Sequence, residues 1–370
     1  MKIYLLAGEA SGDLHGAKLI QELKNQYPEA VFKGWGGDLM EKAGMQLDLH
    51  YRGIAFIGFT QVLANLRKIF RLFKQCEAAI LEFQPDLVIL IDYPGFNLRM
   101  LPKIKKHGIP IVYYISPQVW AWKAGRVKQI KAHVDLMLCI IPFEQDWYKH
   151  HGVEAHYVGN PLLDQLAQYP FAIDFREKNQ LTDKPIIALL PGSRLQEIAY
   201  ILPEILKSAL NFPEYQIVLA AAPSREISTY QKIIEGHDVK IVFGQTYDLL
   251  KNAHAALVAS GTATLETALI GCPQVVVYKG TALSFMIGKL MAKVKYVSMV
   301  NLILNRLLVK EFLQSDCNAR AISPELDRVL HQESYRAEII AGYDELKTKI
   351  GSTGASKKAA DLITNFLKSL

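Results

Sequence analysis

The chain has 370 residues, half of them hydrophobic and about a fifth charged. That is the composition of an ordered globular protein, longer than one core usually absorbs, so two domains are expected and disordered, collagen-like and small disulfide-stapled classes are excluded. The net charge of +6 is modest, and with no helix-turn-helix, zinc-finger or RNP-like pattern beside it, nucleic acid is not the expected partner.

Residues 2–7 read as a strand that runs straight into Gly8-Glu9, leaving too little for a signal segment. No uncharged apolar run reaches the ~18 residues of a spanning helix, so a cytoplasmic location is expected. Gly8-Glu9-Ala10-Ser11-Gly12-Asp13 then opens a helix over 14–26. This is the place of a phosphate loop, but neither GxGxxG nor GxxxxGK[ST] is present, and Glu9 and Asp13 would repel phosphate. The loop suits hydrogen bonds to sugar hydroxyls or an amide, or a plain helix cap by Ser11 or Asp13.

A strand over 31–35 and a long helix over 60–83 follow. The helix sets Val62, Leu66, Ile69, Phe70 and Phe73 on one stripe, with Arg67, Lys68, Arg71 and Lys74 interleaved. Such a stripe can face a core, or it can meet an anionic bilayer and acyl chains. Ile54, Phe56, Ile57, Phe59, Leu63 and Leu72 exceed what one stripe buries, which favours a membrane or acyl patch of Phe56, Phe59, Leu66, Arg67, Phe70 and Arg71. Between residues 61 and 131, twelve Lys or Arg face four acids, a distribution that suits phosphate groups on a substrate or membrane surface.

The next strand, 86–91, is an unbroken aliphatic run that demands cover on both faces, and such strands are parallel. It ends in Asp92-Tyr93-Pro94-Gly95-Phe96-Asn97, on the strand edge where open α/β sheets bind ligands. Asp92 there is either a catalytic carboxylate or a cap for the helix beginning near Asn97. Strand 109–115 leads into Ser116-Pro117-Gln118-Val119-Trp120-Ala121-Trp122-Lys123-Ala124-Gly125-Arg126, where tryptophans beside cations suit sugar faces and anions, or pack a core. Helix 123–132, strand 134–141, helix 143–151 and strand 154–158 complete a doubly wound sheet. Periodicity lapses from 159 to 184, the expected linker.

A second alternation begins with strand 185–190, helix 195–210, strand 215–221, helix 225–235 and strand 239–243. Strand 255–259, helix 262–270 and strand 273–278 continue it, and everything after about 318 reads as helix. Two nucleotide folds in tandem imply a cleft between facing strand edges. Gly192, Ser193 and Arg194 end one strand; Gly261 and Thr262 end another and enter a helix. Both turns offer free backbone N–H groups for a diphosphate, and Glu266 can accept both hydroxyls of a ribose. Cys76, Cys139, Cys272 and Cys317 form no CxxC pair, and there is no HExxH or close His/Cys cluster, so unpaired core thiols and no bound zinc are expected.

Seven motifs in order, GEASGD, IDYPGFN, SPQVWAWKAGR, PFEQDWY, LPGSR, SGTATLE and YVSMVNLI, make the chain resemble the lipid-A-disaccharide synthase family across nearly its whole length. The resemblance implies an α/β protein of the glycosyltransferase-B type, two Rossmann-like doubly wound parallel-sheet domains facing across a cleft. Residues 1–165 would form the acceptor-side domain, with a C-terminal helix (350–370) packing back on it, and 166–349 the UDP-sugar domain. The implied reaction condenses UDP-2,3-diacylglucosamine with 2,3-diacylglucosamine 1-phosphate, with inversion, into a β1,6-linked disaccharide 1-phosphate and UDP. Asp92 falls on the family's base and Arg194, Glu266 and Asn301 on its UDP contacts; Glu9 is a second carboxylate for the transition state, and Ser11, Asn97, Trp120 and Arg126 would line the acceptor side. No cofactor or metal requirement is implied, and the partners are the acylated donor, the acylated acceptor and the inner-membrane surface, with a homodimer left open. Two motifs depart from the family: Gly159-Asn160-Pro161 stands where GHP is usual, and Tyr296 to Asn301 reads YVSMVN in place of YVSLPN. Another UDP-sugar enzyme of the same fold, peptidoglycan N-acetylglucosaminyltransferase-like or UDP-sugar 2-epimerase-like, and a non-catalytic bilobed sugar binder are the alternatives.

Overall fold

A computed structural model describes residues 1–53, 66–122, 124–280 and 295–370, in two units. The first unit comprises Met1–Asp164 and Ser352–Leu370. Its strands are β1 (Lys2–Ala7), β2 (Val31–Gly36), β3 (Met45–His50), β4 (Leu87–Ile91), β5 (Ile111–Tyr114), β6 (Leu136–Cys139) and β7 (Ala155–Tyr157), paired in parallel in the order β3-β2-β1-β4-β5-β6-β7. All five residues of β4 are buried, as an aliphatic run with no polar face requires. The chain winds outward from β1 to β3, then crosses back to lay β4 on the other side of β1. Loops leaving β1 and β4 therefore diverge in opposite directions and leave a crevice at their carboxyl ends, the switch point of a doubly wound sheet.

The second unit, Gln165–Gly351, repeats this plan. Strands β8 (Ile186–Leu190), β9 (Gln216–Ala221), β10 (Val239–Phe243), β11 (Ala253–Ala259), β12 (Gln274–Tyr278) and β13 (Glu311–Leu313) pair in parallel in the order β10-β9-β8-β11-β12-β13. Its switch point lies between β8 and β11.

The sequence pattern misses one edge strand of each sheet, β3 and β13, whereas the opposite edges, β7 and β10, fall where strands 154–158 and 239–243 are expected. Met45–His50 is half-buried and polar at alternate positions, and Glu311–Leu313 has only three residues, too short for a periodic signal. The expected linker over 159–184 is also corrected: it holds helices Pro161–Ala167 and Phe175–Lys178, and Phe175 is wholly buried beside Ala188 and Val218 in the core of the second unit. The units divide between Asp164 and Gln165. In the first unit, helix Ala355–Lys368 lies on helix Ala10–Gln26, burying Ala359, Ala360 and Ile363 beside Leu19, Ile20 and Leu23. Asp164 accepts from Ala355 N (3.0 Å) and Gly354 N, satisfying amides that the helix start leaves open.

Candidate functional site

The carboxyl end of β4 is strained. Asp92 and Tyr93 both take positive φ (45° and 47°), and across the sheet the β-branched Ile115 does so at 63°. Each such residue costs on the order of 1–3 kcal/mol, and strain of this kind collects at functional sites. Asp92 N donates to Tyr114 O (3.0 Å). Its carbonyl accepts from Tyr113 Oη (2.7 Å) and Asn97 Nδ2 (2.8 Å). The ring of Tyr93 lies over Gly8, where a Cβ would come within 2.2 Å of it, which explains a glycine at the start of the GEASGD turn. Helix Pro94–Lys105 begins after Tyr93 without a side-chain cap, so Asp92 does not cap it; its carboxyl, at the switch point, accepts from the Tyr93 backbone N–H. Burial, reinforced by the charge of Glu9, pushes that carboxyl up to about 6. Glu9 is exposed at the adjacent helix start, and Ser11 is exposed within helix Ala10–Gln26, which begins at Ala10 and not at the expected 14, so Ser11 does not cap it.

Several polar residues of these motifs serve the fold. Asp13 accepts from Gly37 N (2.8 Å), Leu39 N (3.1 Å) and Met40 N (3.0 Å), capping helix Asp38–Lys42 from a neighbouring turn. It is neither a sugar ligand nor a cap for its own helix. Asn97, expected on the acceptor side, is fully buried under Asp92. Trp120 is corrected likewise: it is 8% exposed and donates to Glu144 Oε1 (2.9 Å), so its face is not open to a sugar. Glu144 is wholly buried and also accepts from Ser116 Oγ (2.7 Å) and Ile141 N (3.2 Å), while Tyr148 Oη donates to Pro117 O (2.9 Å). The SPQVWAW and PFEQDWY motifs thus hold each other. Burial pushes the Glu144 carboxyl up to about 7 against the pull of these donors. The half-buried Arg126 lies close enough to Tyr113 for its charge to be felt there.

In the second unit the turns after β8 and β11 adjoin, since a Cβ on Gly192 would sit 3.5 Å from Ala259. Gly192 needs its positive φ of 95°, and Glu197 closes under it. Arg194 projects into solvent, with Nη1 bonded to Glu197 Oε1. Arg225, which the sequence pattern did not single out, donates from Nε to Ser193 O (2.7 Å) and brings a second guanidinium to the same turn. Gly261 and Thr262 are exposed at the start of helix Thr262–Ile270, whose amides and dipole favour an anion. Glu266 accepts from Tyr247 Oη (3.0 Å) through Oε1; burial raises its carboxyl above the usual range, and Oε2 has no protein partner among the described residues. Asn301 departs from expectation. It is wholly buried, donates to Val309 O and Glu311 Oε1 (both 2.8 Å), and accepts from Leu308 N (2.8 Å) and Val309 N (3.0 Å). Its side chain holds the turn and has nothing left for a nucleotide.

The family model for lipid-A-disaccharide synthetase matches residues 3–364. The chain belongs to this family. A lipid-A-disaccharide synthase of Myxococcus xanthus (strain DK1622) is 39% identical over 373 residues, 99% of this chain and 97% of the relative. Among solved structures, a putative UDP-N-acetylglucosamine 2-epimerase from Listeria monocytogenes superposes with a TM-score of 0.69 at 13% identity, covering 100% of this chain and 97% of that one. The calicheamicin glycosyltransferase CalG4 does so at 0.64 and 14%, covering 100% and 98%. These likenesses show the fold, glycosyltransferase-B with two Rossmann-like domains, and membership of the synthase family makes the chain an enzyme, a glycosyltransferase of lipid A biosynthesis.

The family departure at Asn160 has a local reason. Its Oδ1 accepts from Leu162 N (3.0 Å) and its Nδ2 donates to Ile140 O (3.2 Å), so the asparagine ties the start of helix Pro161–Ala167 to the end of β6. The acyl patch is only partly within view: Phe56 and Phe59 lie outside the described residues, as does the side chain of Leu66. In helix Leu66–Phe83, Ile69, Leu72, Phe73, Cys76 and Ile80 face the core, and Phe73 stacks on Phe96. Leu72 is therefore a core residue, not excess apolar surface, and Ile69 and Phe73 of the stripe face the core as well. Phe70 is 64% exposed, between the exposed Arg67 and Arg71. Among the described residues no helix is long and apolar enough to cross a membrane.

Proposed function

We propose that this enzyme joins UDP-2,3-diacylglucosamine to 2,3-diacylglucosamine 1-phosphate with inversion, giving a β1,6-linked disaccharide 1-phosphate and UDP. An α-linked donor that yields a β product needs one displacement, one base for the acceptor 6-hydroxyl and a stabilised leaving group. Asp92 is the base. A carboxyl raised to about 6 is still ionised at neutral pH and is a stronger base than an ordinary aspartate. Glu9 beside it adds negative charge where the sugar becomes cation-like. Arg194, Arg225 and the amides at Thr262 take the diphosphate, and the open Oε2 of Glu266 takes the ribose. Peripheral binding at the cytoplasmic face of the inner membrane, through Arg67, Phe70 and Arg71, delivers both acylated substrates.

The observation that carries this reading is Asp92 at the β1/β4 switch point, strained, raised in pKa and free of a capping role. Asp92→Asn should keep UDP affinity and lose ~100-fold to 10,000-fold in kcat, because an amide cannot take the proton. In the wild type, kcat should fall as pH drops through about 6, the side on which Asp92 becomes protonated. UDP release and disaccharide formation from defined substrates measure both, and a variant retaining a third of wild-type kcat would reject the assignment. Because 2-epimerases share the fold, product analysis also decides between a disaccharide and an epimerised sugar.

A further inference from the structure

We propose that Asn97 and Tyr113 are positioning residues for the transfer reaction: together they hold the backbone of Asp92 in its left-handed turn and so fix the direction in which its carboxyl is presented. The inference deepens the function proposed above and rests on it.

An extended continuation of β4 would cost nothing, yet φ turns positive at Asp92 and again at Tyr93. Two adjacent non-glycine residues keep such a conformation only where their surroundings over-determine it. Those surroundings can be named. The Asp92 amide is tied to β5 through Tyr114 O (3.0 Å). The Asp92 carbonyl receives two donors at once, Tyr113 Oη at 2.7 Å and Asn97 Nδ2 at 2.8 Å, and Nδ2 also reaches Ile91 O at 3.2 Å. The Tyr93 ring, seated over Gly8, fixes the following residue. With the carbonyl and amide of Asp92 both anchored, the direction of its Cα–Cβ bond is set, and the Tyr93 backbone N–H, held by the same turn, bonds the carboxyl.

Asn97 and Tyr113 are both 0% exposed, so neither is placed to touch a substrate, and whatever they do for turnover passes through Asp92. The chemistry of Asn97 points the same way. Its Oδ1 is buried with no partner among the described residues, a burden that an aliphatic side chain of similar size would not carry. What the amide offers in exchange is the donation from Nδ2 to the carbonyls of Ile91 and Asp92.

The test uses the full-length enzyme with defined acylated donor and acceptor at saturation, and compares Tyr113→Phe, Asn97→Leu, their double variant and Asp92→Asn. Each single variant should lose about tenfold in kcat and the double about a hundredfold. The donor KM and the UDP dissociation constant should stay within twofold, and the acid limb of the kcat profile should move by at least half a pH unit as the carboxyl changes surroundings. A merely structural role would lower the melting temperature while leaving kcat per folded molecule and the acid limb where they were, and that result overturns the proposal. Should Asn97→Leu fail to fold, Tyr113→Phe decides alone, since it removes one hydroxyl and keeps the ring; wild-type kcat with an unmoved acid limb in that variant also overturns it. If Asp92→Asn loses turnover while the clamp variants stay within twofold of wild type, only the clamp falls. If Asp92→Asn keeps its turnover, the base assignment falls first and the clamp with it.

Discussion

A carboxyl group with no exposed surface needs its oxygens filled, and Glu144 fills them with Ser116 Oγ, Trp120 Nε1 and Ile141 N. Burial still raises it to about 7, far above an ordinary glutamate, so the folded protein takes up a proton here in a pH range where the unfolded chain holds none. With the folded value raised, the charge penalty is fully present above about 7 and is relieved as pH falls toward the usual glutamate range. Glu144→Gln removes the charge and with it this dependence. Relative to wild type, the variant should therefore gain on the order of 2 kcal/mol in stability between pH 5 and pH 8, whatever constant offset the new amide adds. Urea unfolding at the two pH values reads the difference, and an offset that does not change with pH would mean that Glu144 stays ionised throughout. The same residue shows why site residues were harder to read than strands. A polar side chain next to a turn looks identical in sequence whether it faces solvent or is bonded inside the fold, and Trp120, Asn97, Asp13 and Asn301 were all of the second kind. A signal was present for Glu144, an acid three residues into the helix opened by Pro142, where it can reach back to Ile141 N.

Among the elements, those with a strong pattern were legible almost to the residue: β10 over 239–243, helix 262–270, and β4 with its five aliphatic residues. The edge strands β3 and β13 and the short helices at 161–167 and 175–178 were not, because a few residues at the rim of a sheet or beside prolines are placed by neighbours that the local pattern does not contain. What the pattern did locate was the pair of turns after β8 and β11, and their adjacency supports a diphosphate site built from backbone amides and arginines. Arg194→Ala should weaken UDP binding about tenfold or more, since a charge-assisted contact contributes ~1.5–3 kcal/mol. Calorimetry with and without magnesium checks it, and unchanged affinity or strict magnesium dependence would reject the site. Helix Leu66–Phe83 permits a second test, because its core stripe and its exposed face are now distinct. Replacing Arg67, Phe70 and Arg71 with serine touches only exposed side chains, so melting should be unchanged. Binding to anionic liposomes should drop at least about a hundredfold, with ~1 kcal/mol lost per cation and ~1.5–3 for the phenylalanine. Wild-type co-sedimentation would make this face ordinary solvated surface.

On the scale of the whole chain, the two units are built alike but are not continuous alike. The second is one unbroken segment, Gln165–Gly351, whereas the first is closed by the last nineteen residues, Ser352–Leu370. Helix Ala355–Lys368 supplies Ala359, Ala360 and Ile363 to the first core, with Leu362, Phe366 and Leu367 against it, and it is bound by Gln26 to Asp361 (2.7 Å) and by the Asp164 carboxylate at its start. One buried isoleucine is worth ~1.5–3 kcal/mol, and the partly buried leucines and phenylalanine add to it. Losing the helix would also expose the apolar face of helix Ala10–Gln26 and leave Asp164 without its amides, for a total of about 5 kcal/mol or more, a large part of what a domain has to lose. A chain ending at Gly351 should therefore lose the cooperative unfolding transition of its first unit and all turnover. The second unit keeps every residue of the proposed nucleotide site, so UDP should still bind within about threefold of wild type. Calorimetric unfolding and UDP titration on the truncated chain test the two halves of the expectation separately. A truncated chain that still turns over would show that the first unit stands without its terminal helix, and one that loses UDP affinity would mean that nucleotide binding depends on the first unit as well.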